Sequence, residues 1–421
     1  MTTVYRAVWR WHFFAGLIVL PVLAWLAATG ALYLYKPELE RVLIGDLITV
    51  APRPALPADL LVARAERASG ARVVALTIPG AAGESWRATV AAADGSRRLA
   101  FIDPGDGRLL GITRDGGPLK LVRDLHSLAL AGPIGNALIE IVAGWAIILV
   151  LTGLYLWWPR RNAPALALRG SPRGRLFWRD LHAGTGAVAG LVILFLAATG
   201  LPWSVFWGKQ LQTAVAVAGA GRPRAPGPQP WEKHDSHQAL PWSLEPAPAP
   251  AAAGAGDIGI DRTLAIAAER GLAAPLMLVR PAAPGLPYLV SRTTARAETA
   301  HVVYVEPASG RVLQDARAQQ FGAGARAIEW GIATHQGQQY GEPNRLLMLA
   351  GCLATLLLAA TAPVLWWKRR LALPPPPDRR GRGVIALMAG IGLVLPLTGL
   401  TMLGAAASEW LWRQVRRRVR T

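Results

Sequence analysis

Of the 421 residues only one is cysteine, Cys352, and it lies within an apolar run. An internal disulfide and a cysteine-ligated metal cluster are therefore both excluded. Charge is scarce as well: 17% of residues are charged, where a soluble protein carries about a quarter. Acids are the scarcer sign, 26 against 45 Lys and Arg, and lysine supplies only five of the basics. No Walker motif, HExxH, nucleophile elbow, flavin motif or CxxCH occurs, which leaves no sequence grounds for those chemistries or for covalently attached haem. Gly254, Gly256 and Gly259 match a dinucleotide fingerprint formally. They follow an Ala/Pro-rich run rather than a strand, so the match is rejected.

What is abundant is apolar sequence: 52% hydrophobic residues, a mean hydropathy of +0.29, and 17 Trp against 7 Tyr. Five runs are long enough to cross a bilayer: Phe13–Tyr35, Ala137–Trp158, Ala183–Val205, Leu346–Trp367 and Val384–Ala407. The net charge of +19 comes from Arg clusters flanking these runs, which orients a membrane protein and does not call for nucleic acid. Residues 159–181 carry Arg160, Arg161, Arg169, Arg173, Arg175 and Arg179; residues 368–382 carry Lys368, Arg369, Arg370, Arg379, Arg380 and Arg382. Both loops are expected in the cytoplasm, with the N-terminus, and the long connections 36–136 and 206–345 outside. A fifth full span leaves Arg413, Arg416, Arg417, Arg418 and Arg420 outside, against that rule. One span with an external tail is nevertheless the expectation.

The chain is also duplicated. His12 and His182 each precede a Gly by four residues (Gly16, Gly186) and a Thr by 17 (Thr29, Thr199). His126 and His335 each precede a Gly by six (Gly132, Gly341), a Thr by 26 (Thr152, Thr361) and a Trp pair by 31. Two copies of span, outer domain, span, running the same way through the membrane, plus one extra helix, account for these offsets. The outer segments repeat too. Residues 59–69 and 261–270 read as helices with an Asp at the N-cap. Strands follow at Arg72–Ile78, Trp86–Ala91 and Arg98–Ile102, then at Leu276–Arg280, Tyr288–Arg292 and His301–Val305. Each set closes on a Pro/Gly hairpin, FIDPGDGRLLG and YVEPASGRVLQ. The fold class is thus a membrane all-α helical bundle of about five transmembrane helices with two small α+β outer domains. Its boundaries are 1–36, first transmembrane helix; 37–125, first outer domain; 126–205, second and third helices; 206–334, second outer domain with a Pro/Ala-rich loop 221–256; 335–370, fourth helix; and 371–421, fifth helix and basic tail.

Four of the seven His are the duplicated ones, each at a span end. His12 and His182 are placed at the inner face on neighbouring, repeat-related helices, and His126 and His335 at the outer face on short separate turns. An isolated interfacial His is ordinarily a satisfied surface residue. Four at repeat-equivalent positions, two per face, instead suit b-type haem, one axial imidazole on each side of the iron. Arg123 and Arg179 each precede a His by three residues, one helical turn, and are candidates for the haem propionates, with lipid headgroups as the other reading. His234 and His237 read as a solvated loop and His301 as strand-end surface. Glu140 reads as an interfacial carboxylate rather than a proton relay.

The motifs WRWHFFAG, LHSLALAGPIGN…LTGLYLWWPRR, WRDLHAGTGAVAG…LAATGLPW and HQGQQYGEPNRLL…LWWKRR resemble the helices of the PepSY-associated transmembrane family, and the paired hairpins resemble its PepSY domains. The resemblance covers about residues 5–370. The fourth span departs from it, with AATAPV where the others have TG, and Pro363 there is a potential kink. The resemblance implies a bacterial inner-membrane ferric-siderophore reductase with periplasmic PepSY domains, in which His12, His126, His182 and His335 hold two non-covalent, bis-His haems. Electrons would come from a cytoplasmic reductase or a membrane quinol. The family's name comes from a peptidase-inhibitory module, so membership alone does not specify a reductase. A non-redox PepSY binding, sensor or assembly protein and a siderophore transporter are the rival classes. A transporter needs a polar midplane pathway, and the spans offer little beyond the four repeat-marking threonines.

Overall fold

The computed structural model describes residues 3–158, 166–217, 251–292, 296–369 and 389–418. Arg160, Arg161, His234, His237, Arg370, Arg379, Arg380, Arg382 and Arg420, the start of the expected fifth span at Val384 and most of the loop 221–256 lie outside them. The helices are α1 (Thr3–Leu34), α2 (Lys36–Ile48), α3 (Ala58–Ser69), α4 (Lys120–His126), α5 (Gly132–Trp157), α6 (Arg175–Gly200), α7 (Val205–Val217), α8 (Ile260–Glu269), α9 (Ala323–His335), α10 (Glu342–Trp367) and α11 (Pro396–Arg418). The strands are β1 (Arg72–Ile78), β2 (Trp86–Ala91), β3 (Arg97–Ile102), β4 (Leu109–Arg114), β5 (Leu276–Val279), β6 (Tyr288–Arg292), β7 (His301–Val305) and β8 (Val312–Arg317). The chain divides into two compact units: Met1–Leu34 with Arg123–Leu211 and Glu342–Thr421, and Tyr35–Val122 with Gln212–Gly341.

The first unit is helical. Among the described residues four helical segments, containing α1, α5, α6 and α10, are long and apolar enough to cross a membrane. At about 1.5 Å per residue, the 32 residues of α1 and the 26 of each of the others exceed the roughly 30 Å of hydrocarbon they must span. Their outward faces carry Ile18, Ile134, Val188 and Leu191, each more than two-thirds exposed, a surface that lipid covers and water does not. α1 and α6 begin earlier than hydropathy predicts, at Thr3 and Arg175. Hydropathy marks where lipid begins, not where helical hydrogen bonding does, so His12 and His182 lie within helices. α5 packs against α1 and α6, and α10 packs against α6 and α1. The four close a ring in which α1 and α6 face each other across the middle, rather than lying side by side as expected. α10 runs through Pro363 to Trp367.

The C-terminal segment departs from the single straight helix expected at Val384–Ala407. Helical residues 389–394 end at a bend at Leu395, and α11 starts at Pro396. A Cβ on Gly399 would lie 2.7 Å from the Gly392 Cα, a proximity that a continuous helix, rising about 1.5 Å per residue, forbids. The chain therefore folds back on itself. The bend packs on the middle of α5, with Thr398 against Gly144 and the Trp145 indole donating to Thr401 Oγ1 at 2.9 Å. α11 then returns to the end of the ring where α1 begins, and Arg10 pairs with Glu409 at 2.6 Å. A reversal here is not one straight helix, and it brings Glu409 of α11 back beside Arg10 near the start of α1.

The second unit holds one antiparallel eight-stranded sheet, in the order β4-β3-β2-β1-β5-β6-β7-β8. The strands fall where period-two alternation predicts them, but the two expected α+β domains share a sheet. β1 pairs with β5, Ala75 opposite Val279 through Ile78 opposite Leu276. Each of those strands would otherwise be an open edge, and joining them satisfies both. Leu61, Val62, Ile260 and Ile266 of α3 and α8 close over Val73, Leu76, Leu278 and Val290. The two Asp do not cap their own helices, whose N-cap positions are Pro57 and Gly259. Asp59 accepts from the N–H groups of Ile260 and Asp261, and Asp261 from those of Ala58 and Asp59, at 2.6–3.1 Å. Each carboxylate caps the other copy's helix, which places the positive end of each dipole against a negative charge.

Candidate functional site

His12 and His182 are brought together. Their ring centroids lie 6.5 Å apart with the planes at 89°. An edge-to-face aromatic pair reaches this separation, and so does a bis-imidazole metal site. With metal–nitrogen bonds of about 2 Å and ring centres about 1 Å behind the nitrogens, an iron between two opposed imidazoles puts the centroids about 6 Å apart. The nitrogens show which atoms a metal could use. His12 Nδ1 lies 2.9 Å from Thr152 Oγ1 on α5, and His182 Nδ1 lies 2.8 Å from Thr361 Oγ1 on α10. Both Nδ1 atoms are thus engaged on flanking helices, and Nε2 is the nitrogen left for ligation. The donor set fits a metal already held by a macrocycle, which needs only two axial nitrogens.

His126 ends α4, a separate short helix, as its spacing from Gly132-Pro133 predicts. The Trp25 indole donates to the Leu125 carbonyl at 3.0 Å and ties α4 to α1. His126 Nδ1 lies 3.0 Å from the Leu26 carbonyl and 3.1 Å from Thr29 Oγ1. A Cβ on Gly30 would lie 3.1 Å from His126 Cε1, and one on Gly153 would lie 3.2 Å from His12 Cε1. The imidazole of His126 therefore sits at Gly30, 18 residues along α1 from His12, or about 27 Å. No single iron could reach both. His335 closes α9 and is half-buried; it belongs to the second unit.

Arg123 and Arg179 both turn to the Asp that follows them, at 3.4 and 2.8 Å. Arg179 is half exposed, and its Asp180 also takes Arg169 at 2.8 Å. Glu140 is buried rather than solvated. It is 1% exposed, and its Oε2 accepts the Phe206 N–H at 2.8 Å, capping the first turn of α7. Nor is His301 at the surface: it is 8% exposed, with Nε2 2.8 Å from Asp315 Oδ1 across the β7–β8 pair. Burial holds its pKa below the usual imidazole value, although Asp315 works the other way.

Sequence reasoning missed the residues that hold the imidazoles. In the sequence Thr29, Thr152 and Thr361 mark the repeat, and the Gly after the first two belongs to the shared TG; neither feature by itself says that an imidazole rests there. The fixed His-to-Thr offsets and the Thr-Gly pairs were the signal. The model of the PepSY-associated TM region matches residues 9–369 of the chain. No curated protein matches it. Covering most of the sequence and all four repeated His, that match establishes that the chain belongs to the PepSY-associated transmembrane family.

Proposed function

We propose that the chain is a bacterial inner-membrane electron conduit, holding one b-type haem between His12 and His182 and a second between His126 and His335, that reduces a ferric chelate at the periplasmic face. The observation that carries this reading is the His12–His182 pair, two imidazoles facing each other across the helical ring with both Nδ1 atoms tethered away. Bound there, haem supplies one-electron chemistry, and two protein nitrogens on each iron leave no position for oxygen or another gas. The chain's own work would be to fix the imidazoles and exclude water, and at His12 and His182 the surrounding helices α1, α5, α6 and α10 are apolar. Arg123 and Arg179 would meet the propionates, in competition with the neighbouring Asp each now pairs with.

The substrate is ferric iron in an oxygen-rich chelator such as a siderophore, bound by the two-domain PepSY sheet. Each Fe(III) takes one electron and leaves as Fe(II), a softer cation that hard oxygen ligands hold less tightly, and the chelator is released unchanged. A cytoplasmic reductase or a membrane quinol supplies that electron.

Purified full-length protein loaded with haem and reduced anaerobically should show a six-coordinate low-spin spectrum. Adding a ferric siderophore should reoxidise it and yield one Fe(II) per electron, trapped by a ferrous-specific chelator. His12→Ala should lose one haem and keep the other, and His126→Ala the reverse. A colourless protein that tolerates both substitutions, or a reduced spectrum unchanged by the ferric chelate, sinks the proposal.

A further inference from the structure

A mid-helix threonine commonly donates its hydroxyl proton back to its own helix. Thr152 Oγ1 lies 2.6 Å from the Ile148 carbonyl, Thr29 Oγ1 lies 2.7 Å from that of Trp25, and Thr361 Oγ1 lies 3.1 Å from that of Leu358. A hydroxyl has one proton and two lone pairs. With the proton committed to the helix, the oxygen facing each imidazole accepts, so the proton between them belongs to Nδ1. The backbone says the same independently. His126 Nδ1 also lies 3.0 Å from the Leu26 carbonyl. Carbonyls only accept. Thr199, the fourth repeat threonine, donates to the Phe195 carbonyl at 2.6 Å in the same way.

We infer that Thr29, Thr152 and Thr361 are positioning residues that hold His126, His12 and His182 in the Nδ1–H tautomer, in which Nε2 is the unprotonated nitrogen that meets the iron, and that they tune the potential of the haem each imidazole ligates. The inference rests on the haem reading above. An imidazole whose Nδ1–H is accepted by an oxygen is a better donor through Nε2, and a better donor favours Fe(III) over Fe(II). The threonines therefore hold the potentials low, the direction that helps an electron move on to a ferric chelate. The glycine beside Thr29 and the one beside Thr152 let each imidazole approach the helix closely, since a Cβ there would lie 3.1 or 3.2 Å from the ring.

The test compares haem-loaded full-length wild type, Thr152→Val, Thr152→Ser and Thr29→Val by reductive titration followed optically, with low-spin electron paramagnetic resonance. Valine keeps the shape and removes the acceptor; serine keeps the acceptor. Thr152→Val should raise the midpoint potential of one haem and shift its low-spin signal, leaving the other haem unchanged. Thr29→Val should do the same to the other haem, and Thr152→Ser should match wild type. Loss of one haem in Thr152→Val with retention in Thr152→Ser would support the same role at the level of binding. The inference is overturned if both valine variants keep wild-type potentials and signals, or if serine behaves as valine does. A wild type with no bis-imidazole spectrum would instead overturn the haem reading itself.

Discussion

At Gly153 the missing side chain matters as much as any present one. A Cβ there would lie 3.2 Å from His12 Cε1, closer than ordinary van der Waals contact, and His12 cannot retreat without stretching its 2.9 Å bond to Thr152. The fourth span carries a methyl at the equivalent position, Ala362 after Thr361, so one carbon is tolerated at His182. A branched side chain is a larger insertion, and overpacking of this kind costs about 1–3 kcal/mol. Gly153→Val should therefore lower the haem-to-protein ratio of purified protein, whereas Gly45→Ala, with open space around its Cβ, should not. Equal ratios in the two variants would show that the imidazole does not depend on this surface. The repeated histidines were legible because their offsets to Gly, Thr and Trp agree. Their partners were not, because offsets along a chain do not say which helix faces which. His12 meets Thr152, 140 residues away, rather than the Thr29 of its own helix.

Among the elements, α3 and α8 depend on each other's aspartate. Burial disfavours the charged form of Asp59, but the N–H groups of Asp261 and Ile260 outweigh it and hold its carboxyl below the usual range. A depressed carboxyl in the folded state adds stability that is present above its unfolded value of about 4 and is lost as pH falls below it. Asp59→Asn keeps one weak acceptor in place of two charged ones. Losing a cap costs about 0.5–2 kcal/mol. Hydrogen exchange at the α3 and α8 amides should speed up in this variant at neutral pH, and it should change less than wild type does on acidification toward pH 3. If the variant and wild type show the same pH dependence, Asp59 is not the titrating cap. The helices themselves were readable from an Asp, an apolar stripe and a closing Gly. The exchange of caps was not, and neither was the β1–β5 pairing, since each joins segments about 200 residues apart. Alternation locates a strand but does not choose its neighbour.

For the whole molecule the decisive region is the C-terminal one, where hydropathy and charge disagree. Twenty-four apolar residues around Pro396 read as a span, yet a span strands five arginines on the wrong face. Hydropathy counts residues and cannot see a reversal. The close approach of Gly392 and Gly399, two residues without side chains, allows the chain to turn inside the ring's depth, and Thr398 and Thr401 find partners on α5 there. An unpaired polar group at that depth is costly, so these contacts favour the turn over a straight crossing. Arg10 and Glu409 then fix the end of α11 beside the start of α1. Positive charge on short segments near membrane helices stays in the cytoplasm, and the reversal puts Arg6, Arg10 and the C-terminal arginines under one rule. A fluorescent protein fused after Thr421 should therefore fold and fluoresce in intact bacteria, and alkaline phosphatase fused at the same point should be inactive, with N-terminal fusions behaving alike. A fusion within residues 59–69 should give the opposite pair of results. Active phosphatase at the C-terminus would mean that the last segment crosses the membrane after all, and that the Arg10–Glu409 pair does not form in the bilayer.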